Sequence, residues 1–267
     1  MYFELLTNYF ECRIIVKENV FFKLLRNKTG EYFMNGKDDF EKIYQDAKKR
    51  HNLQPILAEL IIRAKNGNTR FQTSLGFAYQ TGELPIDYKK SRYWSKCAIA
   101  NGSVQAITNL AVLYINGQGG SQNLKKGIAM LKDGVKKGDF KALRYLGRCY
   151  QKGLGVPIDL LKARSYFVKA AKAGDITSMA YLGDYYCFGM GGVQVDYQVA
   201  FRWYKRASKR GDVVAVPGML GIARMYEQGL GRPHNISLAM KWYNRAAQTG
   251  SNSAKKVLQK LKKEKNY

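Results

Sequence analysis

Six dipeptides set the frame of this chain: Gly67-Asn68, Gly102-Ser103, Gly138-Asp139, Gly174-Asp175, Gly211-Asp212 and Gly250-Ser251. Their glycines follow one another at 35, 36, 36, 37 and 39 residues. Glycine readily adopts the left-handed conformation that closes a helix, and a small polar residue after it caps the next helix through its side-chain oxygen. A junction repeated at this period points to stacked units, none of which can bury its apolar face alone.

The spacing also recurs inside the units. Tyr79, Tyr114, Tyr150 and Tyr186 each lie 12 residues after their glycine, and Gly82, Gly117, Gly153 and Gly189 follow three residues later. In the third unit Ala142, Tyr145, Leu146, Cys149 and Tyr150 fall at helical spacing. Asp159 then reads as a second N-cap, with Ala163, Tyr166, Phe167, Ala170 and Ala171 on one helical stripe. Asp87, Asn123, Asp196 and Asn235 take the same capping place elsewhere. Each unit is therefore expected to be helix A, a glycine-bearing loop and helix B. The GMGG of residues 189–192 invites a phosphate-loop reading, but no strand precedes it and no Lys-Ser pair follows. It occupies the A–B turn also filled by GQGG and GLG, and the nucleotide reading fails.

The combined pattern, clearest in ALRYLGRCYQKGLGVPIDLLKARSYFVKAAKAG (141–174), AFRWYKRASKRG (200–211) and AMKWYNRAAQTG (239–250), closely resembles the Sel1-like repeat, a relative of the tetratricopeptide repeat. The resemblance covers 67–249 as five repeats, with 250–267 as a C-terminal capping half-repeat ending in a basic tail. It implies an all-α fold, a right-handed α-α superhelix (solenoid) of helix-turn-helix repeats. It also implies binding of a protein or peptide rather than catalysis, in a family that includes adaptors, bacterial secretion-linked proteins and toxin-neutralising proteins.

Two repeats depart from the pattern. Helix B of the second reads MLKDGVKKG, losing its aromatic pair and gaining Gly134, so a weaker helix is expected there. In the fifth, 15 residues separate Gly211 from Tyr226, and Pro217 cannot stand mid-helix. A bulged or late-starting helix A is expected. Upstream, 37–66 reads as a degenerate capping helix pair (38–51 and 53–67), and 1–36 as either a hairpin or a helix and loop. The N-terminus lacks a basic leader region and is broken by Glu11, Arg13, Lys17 and Glu18, so a soluble, cytoplasmic chain is the default expectation. Cys12, Cys97, Cys149 and Cys187 form no CxxC and are expected to be free thiols.

The formal charge is +25, enough to draw anionic partners to the surface. It is unevenly placed. The five helix-A halves hold 6 Lys/Arg and 5 Asp/Glu, and the halves that carry helix B hold 21 and 5. By the resemblance, helix A lines a concave face and helix B a convex one, which implies a nearly neutral groove in a positive shell. The shell is read as a solvated face, as a docking surface for an acidic protein, or as a site for nucleic acid or anionic lipid. Tyr166, Trp203 and Trp242 are expected on the packing stripe of helix B, which argues against bases stacking among the lysines.

On a wheel of helix A, positions 4, 5, 8, 9 and 12 after the glycine form the core stripe, and positions 3, 7, 10 and 11 lie roughly opposite and are expected to face outward into the concave groove. Asn109, Lys141, Tyr145, Arg148, Tyr181, Asp184 and Tyr185 are thereby the expected partner-binding residues, tyrosine and arginine being strong interface formers. The alternative for the tyrosines is lodging between adjacent repeats. His51 and His234, the only histidines, stand far apart in sequence. No catalytic constellation, metal-ligand spacing, cofactor motif or small-molecule substrate is indicated.

Overall fold

The computed structural model describes residues 54–82 and 84–265. They form twelve α-helices and one 3-10 turn, with no strand among them. In chain order the helices are α1 (Gln54–Lys65), α2 (Thr69–Thr81), α3 (Tyr88–Ala100), α4 (Val104–Ile115), α5 (Leu124–Lys136) and α6 (Phe140–Lys152). They continue as α7 (Leu160–Lys172), α8 (Ile176–Phe188), α9 (Tyr197–Ser208), α10 (Val216–Gln228), α11 (Ile236–Gln248) and α12 (Asn252–Lys265). The architecture is an α-solenoid of consecutive packed helix pairs. The chain divides into two compact units, Met1–Gly127 and Ile128–Tyr267.

The capping expectation holds at both kinds of helix start. Asn68, Ser103, Asp139 and Asp175 accept from backbone N–H groups of the first turns of α2, α4, α6 and α8, at 2.7–3.3 Å. Asp87, Asn123, Asp159, Asp196 and Asn235 do the same for α3, α5, α7, α9 and α11 at 2.8–3.0 Å. These B-helix caps have a second task. Their own N–H groups donate to the carbonyls of Tyr79, Tyr114, Tyr150, Tyr186 and Tyr226 at 2.9–3.1 Å. One such bond per repeat ties the start of helix B to the last turn of helix A, and the periodic tyrosine marks its acceptor.

GMGG is a packing device. Gly189 closes α8 in the left-handed region at φ 65°, and its N–H donates to the Tyr185 carbonyl. Gly191 has φ 63°, and a Cβ there would stand 2.6 Å from the Leu160 carbonyl at the start of α7. Only glycine meets both demands.

Close approach also explains the glycine of the LG pair in helix A. A Cβ on Gly147 would meet Phe167 of α7 at 2.7 Å, and one on Gly183 would collide with Tyr204 of α9. The second aromatic of helix B therefore packs directly on a bare stretch of helix A. Phe167 and Tyr204 are fully buried, as are Leu146, Leu182 and Ile222. Tyr204 also reaches across to helix A, donating its hydroxyl to Asp184 Oδ1 at 2.6 Å, and Tyr243 of α11 does so to Glu227 Oε2 of α10 at 2.6 Å.

The fifth repeat starts its helix A late. Val213–Ala215 form a 3-10 turn, in which Val214 N–H donates to Asp212 Oδ1 at 3.1 Å, and α10 begins at Val216. Pro217 stands in its first turn, where a missing N–H costs nothing and a fixed φ helps. Helix α5 runs its full 13 residues despite Gly134. Helix α1 is the second member of the expected N-terminal pair; the first, and the whole of 1–36, lie outside the described residues, as do Cys12 and His51. At the other end α12 lays Ala254, Leu258 and Leu261 into the core formed with α10 and α11.

Candidate binding face of the A helices

Lys141, Tyr145 and Arg148 come from one outward stripe of α6, and all three are half-buried. Tyr145 is flanked by two guanidiniums, Arg144 at 5.0 Å and Arg148 at 5.8 Å from the ring centre. The two differ in their partners. Arg144 is neutralised by Asp175, a buried carboxylate 2.8 Å away that also caps α8. Arg148 has its Nε buried with no hydrogen-bond partner. That Nε is closed to an incoming group as it is to water, but no carboxylate lies within ion-pair distance of Arg148 among the described residues, so the rest of its guanidinium is left to pair with an acceptor.

On α8, Asp184 accepts from the Tyr204 hydroxyl and lies 3.6 Å from Arg224 Nη2 of α10. Burial pushes its carboxyl above the usual range, against the opposing pull of the Tyr204 hydrogen bond and Arg224. Arg224 in turn covers the ring of Phe188 at 5.6 Å, and Phe188 is 49% exposed. Phe188 and Arg224 belong to this face although the expected partner-binding residues did not include them. Both were within reach of the sequence. Phe188 is position 14, about 20° from positions 3 and 7 on the wheel. Arg224 is position 10 once the three inserted residues are discounted.

Two expected residues are placed differently. Tyr185 is fully buried, edge-on to Phe167 at 5.7 Å, and burial pushes its hydroxyl up to about 12. It is a core residue and not part of an outward face. At about 100° per residue, position 11 falls only some 20° from core position 4, and Ala78, Leu113 and Cys149 at the same place are buried too. Tyr181 is half-buried and stacked on Phe167 at 4.7 Å, so it is lodged between repeats with only part of its ring free. Asn109, in the first compact unit, is half-buried on α4.

The B helices carry two sets of aromatics. Phe167, Tyr204 and Tyr243, the second aromatics of each pair, form the packing stripe. The first aromatics, Tyr166, Trp203 and Trp242, are half-buried on the same side, as expected: Tyr166 stacks on Tyr150 at 5.6 Å, and Trp203 and Trp242 pack against the core.

Cys97, Cys149 and Cys187 are free, and burial pushes the Cys149 thiol up to about 11, away from reactive thiolate. Among the described residues no group of three or more His, Cys, Asp or Glu is placed to hold a metal, and no helix is long and apolar enough to cross a membrane.

The repeat itself decides the family. Sel1 repeats match residues 70–103, 104–139, 140–175, 176–212 and 216–251. The chain belongs to the Sel1-repeat family. The matches pass over 213–215, the three residues of the 3-10 turn. Sel1 repeats commonly mediate protein–protein interaction and generally serve as non-catalytic scaffolds. Among solved structures, the chain is similar to a Sel1 repeat protein from Oxalobacter formigenes, with 24% identity and a TM-score of 0.62 over 79% of this chain and 60% of that one. It is similar to a protective antigen of uropathogenic Escherichia coli with an SLR fold, with 28% identity and a TM-score of 0.58 over 78% of this chain and 44% of that one. An immunity protein from Pseudomonas aeruginosa shares the fold at 20% identity and a TM-score of 0.52, over 72% of this chain and 68% of that one. The Sel1 chain described here thus spans less than two thirds of the first two relatives.

Proposed function

We propose that this Sel1-repeat protein is a non-enzymatic scaffold that grips an acidic protein or peptide on the outward face of its A helices. The observation that carries this is the α6 cluster. Tyr145 lies between two guanidiniums, one of which, Arg148, has no carboxylate partner among the described residues. A partner carboxylate meets Arg148 and Lys141, while Tyr145 and, on α8, the exposed Phe188 supply apolar contact area. Tyr181 adds only the edge that Phe167 leaves free, and Tyr185 adds nothing. The sharper form of the reading is neutralisation of a bacterial toxin; the immunity protein that shares the fold supports it by analogy alone.

The test begins with the partner that co-purifies stoichiometrically from the native host, followed by titration calorimetry. Tyr145→Ala combined with Arg148→Ala is expected to cost roughly 2 kcal/mol or more, the scale of an interface hot spot. Unchanged affinity in the folded double variant refutes the assignment of this face.

A further inference from the structure

We infer that the B helices of the second compact unit form a docking strip for an anionic phospholipid surface, a site separate from the A-helix face and independent of the function proposed for it. The strip is a motif used three times. Tyr166, Trp203 and Trp242 occupy the same place in α7, α9 and α11, and the residue three positions on is always a cation lying over the ring. Lys169 stands 5.9 Å from Tyr166, Arg206 4.6 Å from Trp203 and Arg245 5.3 Å from Trp242. Lys205 of α9 reaches over to Trp242 of α11 at 5.1 Å, joining neighbouring repeats. These four cations are exposed; the rings are half-buried, Tyr166 stacked on Tyr150 at 5.6 Å and Trp203 and Trp242 set against the core, with part of each ring left at the surface.

Charge decides what such a strip attracts. Helices α7, α9 and α11 hold nine Lys/Arg and no Asp or Glu. No carboxylate lies within ion-pair distance of Lys169, Lys205, Arg206 or Arg245 among the described residues. Resting on rings holds their long side chains in place, so less side-chain entropy is lost when an anion is met. A row of such cations is attracted to an anionic leaflet by about 1 kcal/mol for each Lys or Arg near the surface.

The aromatics separate a membrane from a nucleic acid. Single strands want ring faces open for bases to stack on, and here each ring already carries a cation over one face. Trp and Tyr anchored in the core and partly open beside Lys and Arg are instead the composition of the membrane–water interface, where amphipathic rings sit at headgroup level.

The test is co-sedimentation of the full chain with vesicles of equimolar phosphatidylglycerol and phosphatidylcholine, against phosphatidylcholine alone. Binding is expected only with phosphatidylglycerol. Neutralising the strip with Lys169→Gln, Arg206→Gln and Arg245→Gln should weaken partitioning roughly 100-fold at an unchanged melting temperature. The control removes the same charge from α5, which has no aromatic pair, through Lys125→Gln, Lys132→Gln and Lys136→Gln. An equal loss in the control means bulk charge, and the strip is refuted. In a Trp94→Phe background, which leaves only Trp203 and Trp242, vesicle binding should shift indole emission to the blue; binding without that shift refutes contact through this strip. Absence of binding to phosphatidylglycerol at low salt, or tighter binding to a labelled oligothymidylate under the same conditions, also overturns the proposal.

Discussion

Asp175 shows how much one side chain can hold. One carboxylate oxygen caps α8 by accepting from Ser178 N–H at 2.7 Å, and the other takes Arg144 at 2.8 Å, with the side chain only 5% exposed. Asp175→Ala strips the cap and leaves a partly buried guanidinium unpaired, so a loss of about 3–5 kcal/mol is expected in urea denaturation. Asp175→Asn keeps the capping oxygen and should lose distinctly less. Asp184 behaves in the opposite sense. Its carboxyl is raised by burial, so between its ordinary and its folded value the native state binds more protons than the unfolded chain. Stability from this group is therefore present at low pH and falls as pH rises through the window just above the usual carboxylate range. Asp184→Asn, which still offers an oxygen to the Tyr204 hydroxyl, should melt at the same temperature as the parent or higher at pH 7. That gap should close as the pH is lowered towards about 4. A variant markedly less stable at pH 7 would show that the Arg224 ion pair outweighs desolvation.

Helix pairs are set by where a Cβ is missing. Gly183 lets the Tyr204 ring lie on α8, and Gly221 lets the same ring lie on α10. Gly183→Ala drives a methyl into that ring with no free volume to take it, and a loss of about 1–3 kcal/mol is expected by thermal or chemical denaturation. Adding Tyr204→Leu, which removes the clashing ring atoms, should make the alanine cheaper than it is alone. The fifth repeat makes the complementary case. Its three additional residues are absorbed by a 3-10 turn ahead of α10, and Pro217 sits in the helix's first turn. Pro217→Ala is accordingly expected to cost less than about 1 kcal/mol. A large loss would mean that the ring itself is packed.

Across the molecule the charge is a standing stress. At +25 the compact state repels itself, and salt screens exposed charges over about 10 Å at 0.1 M. The melting temperature should rise between low and moderate sodium chloride; a fall would mean that attractive pairs dominate. The repeat period, both sets of N-caps, the late start of α10 and the family were all legible in the chain, because caps, turns and glycine closures are local and recur at one spacing. The orphaned Nε of Arg148 was not legible, and neither was the use of Asp175 by two elements, since each depends on what a neighbouring helix brings. Tyr185 marks the boundary most sharply. A wheel gives the direction of a side chain on its own helix, and position 11 points to the edge of the stripe. Whether that edge meets solvent or the next repeat depends on how α7 packs against α8, and there it brings Phe167 against Tyr185. Residue types and spacing determined the repeat and its turns; tertiary packing alone decided which tyrosines became core and which cations remained without an acceptor.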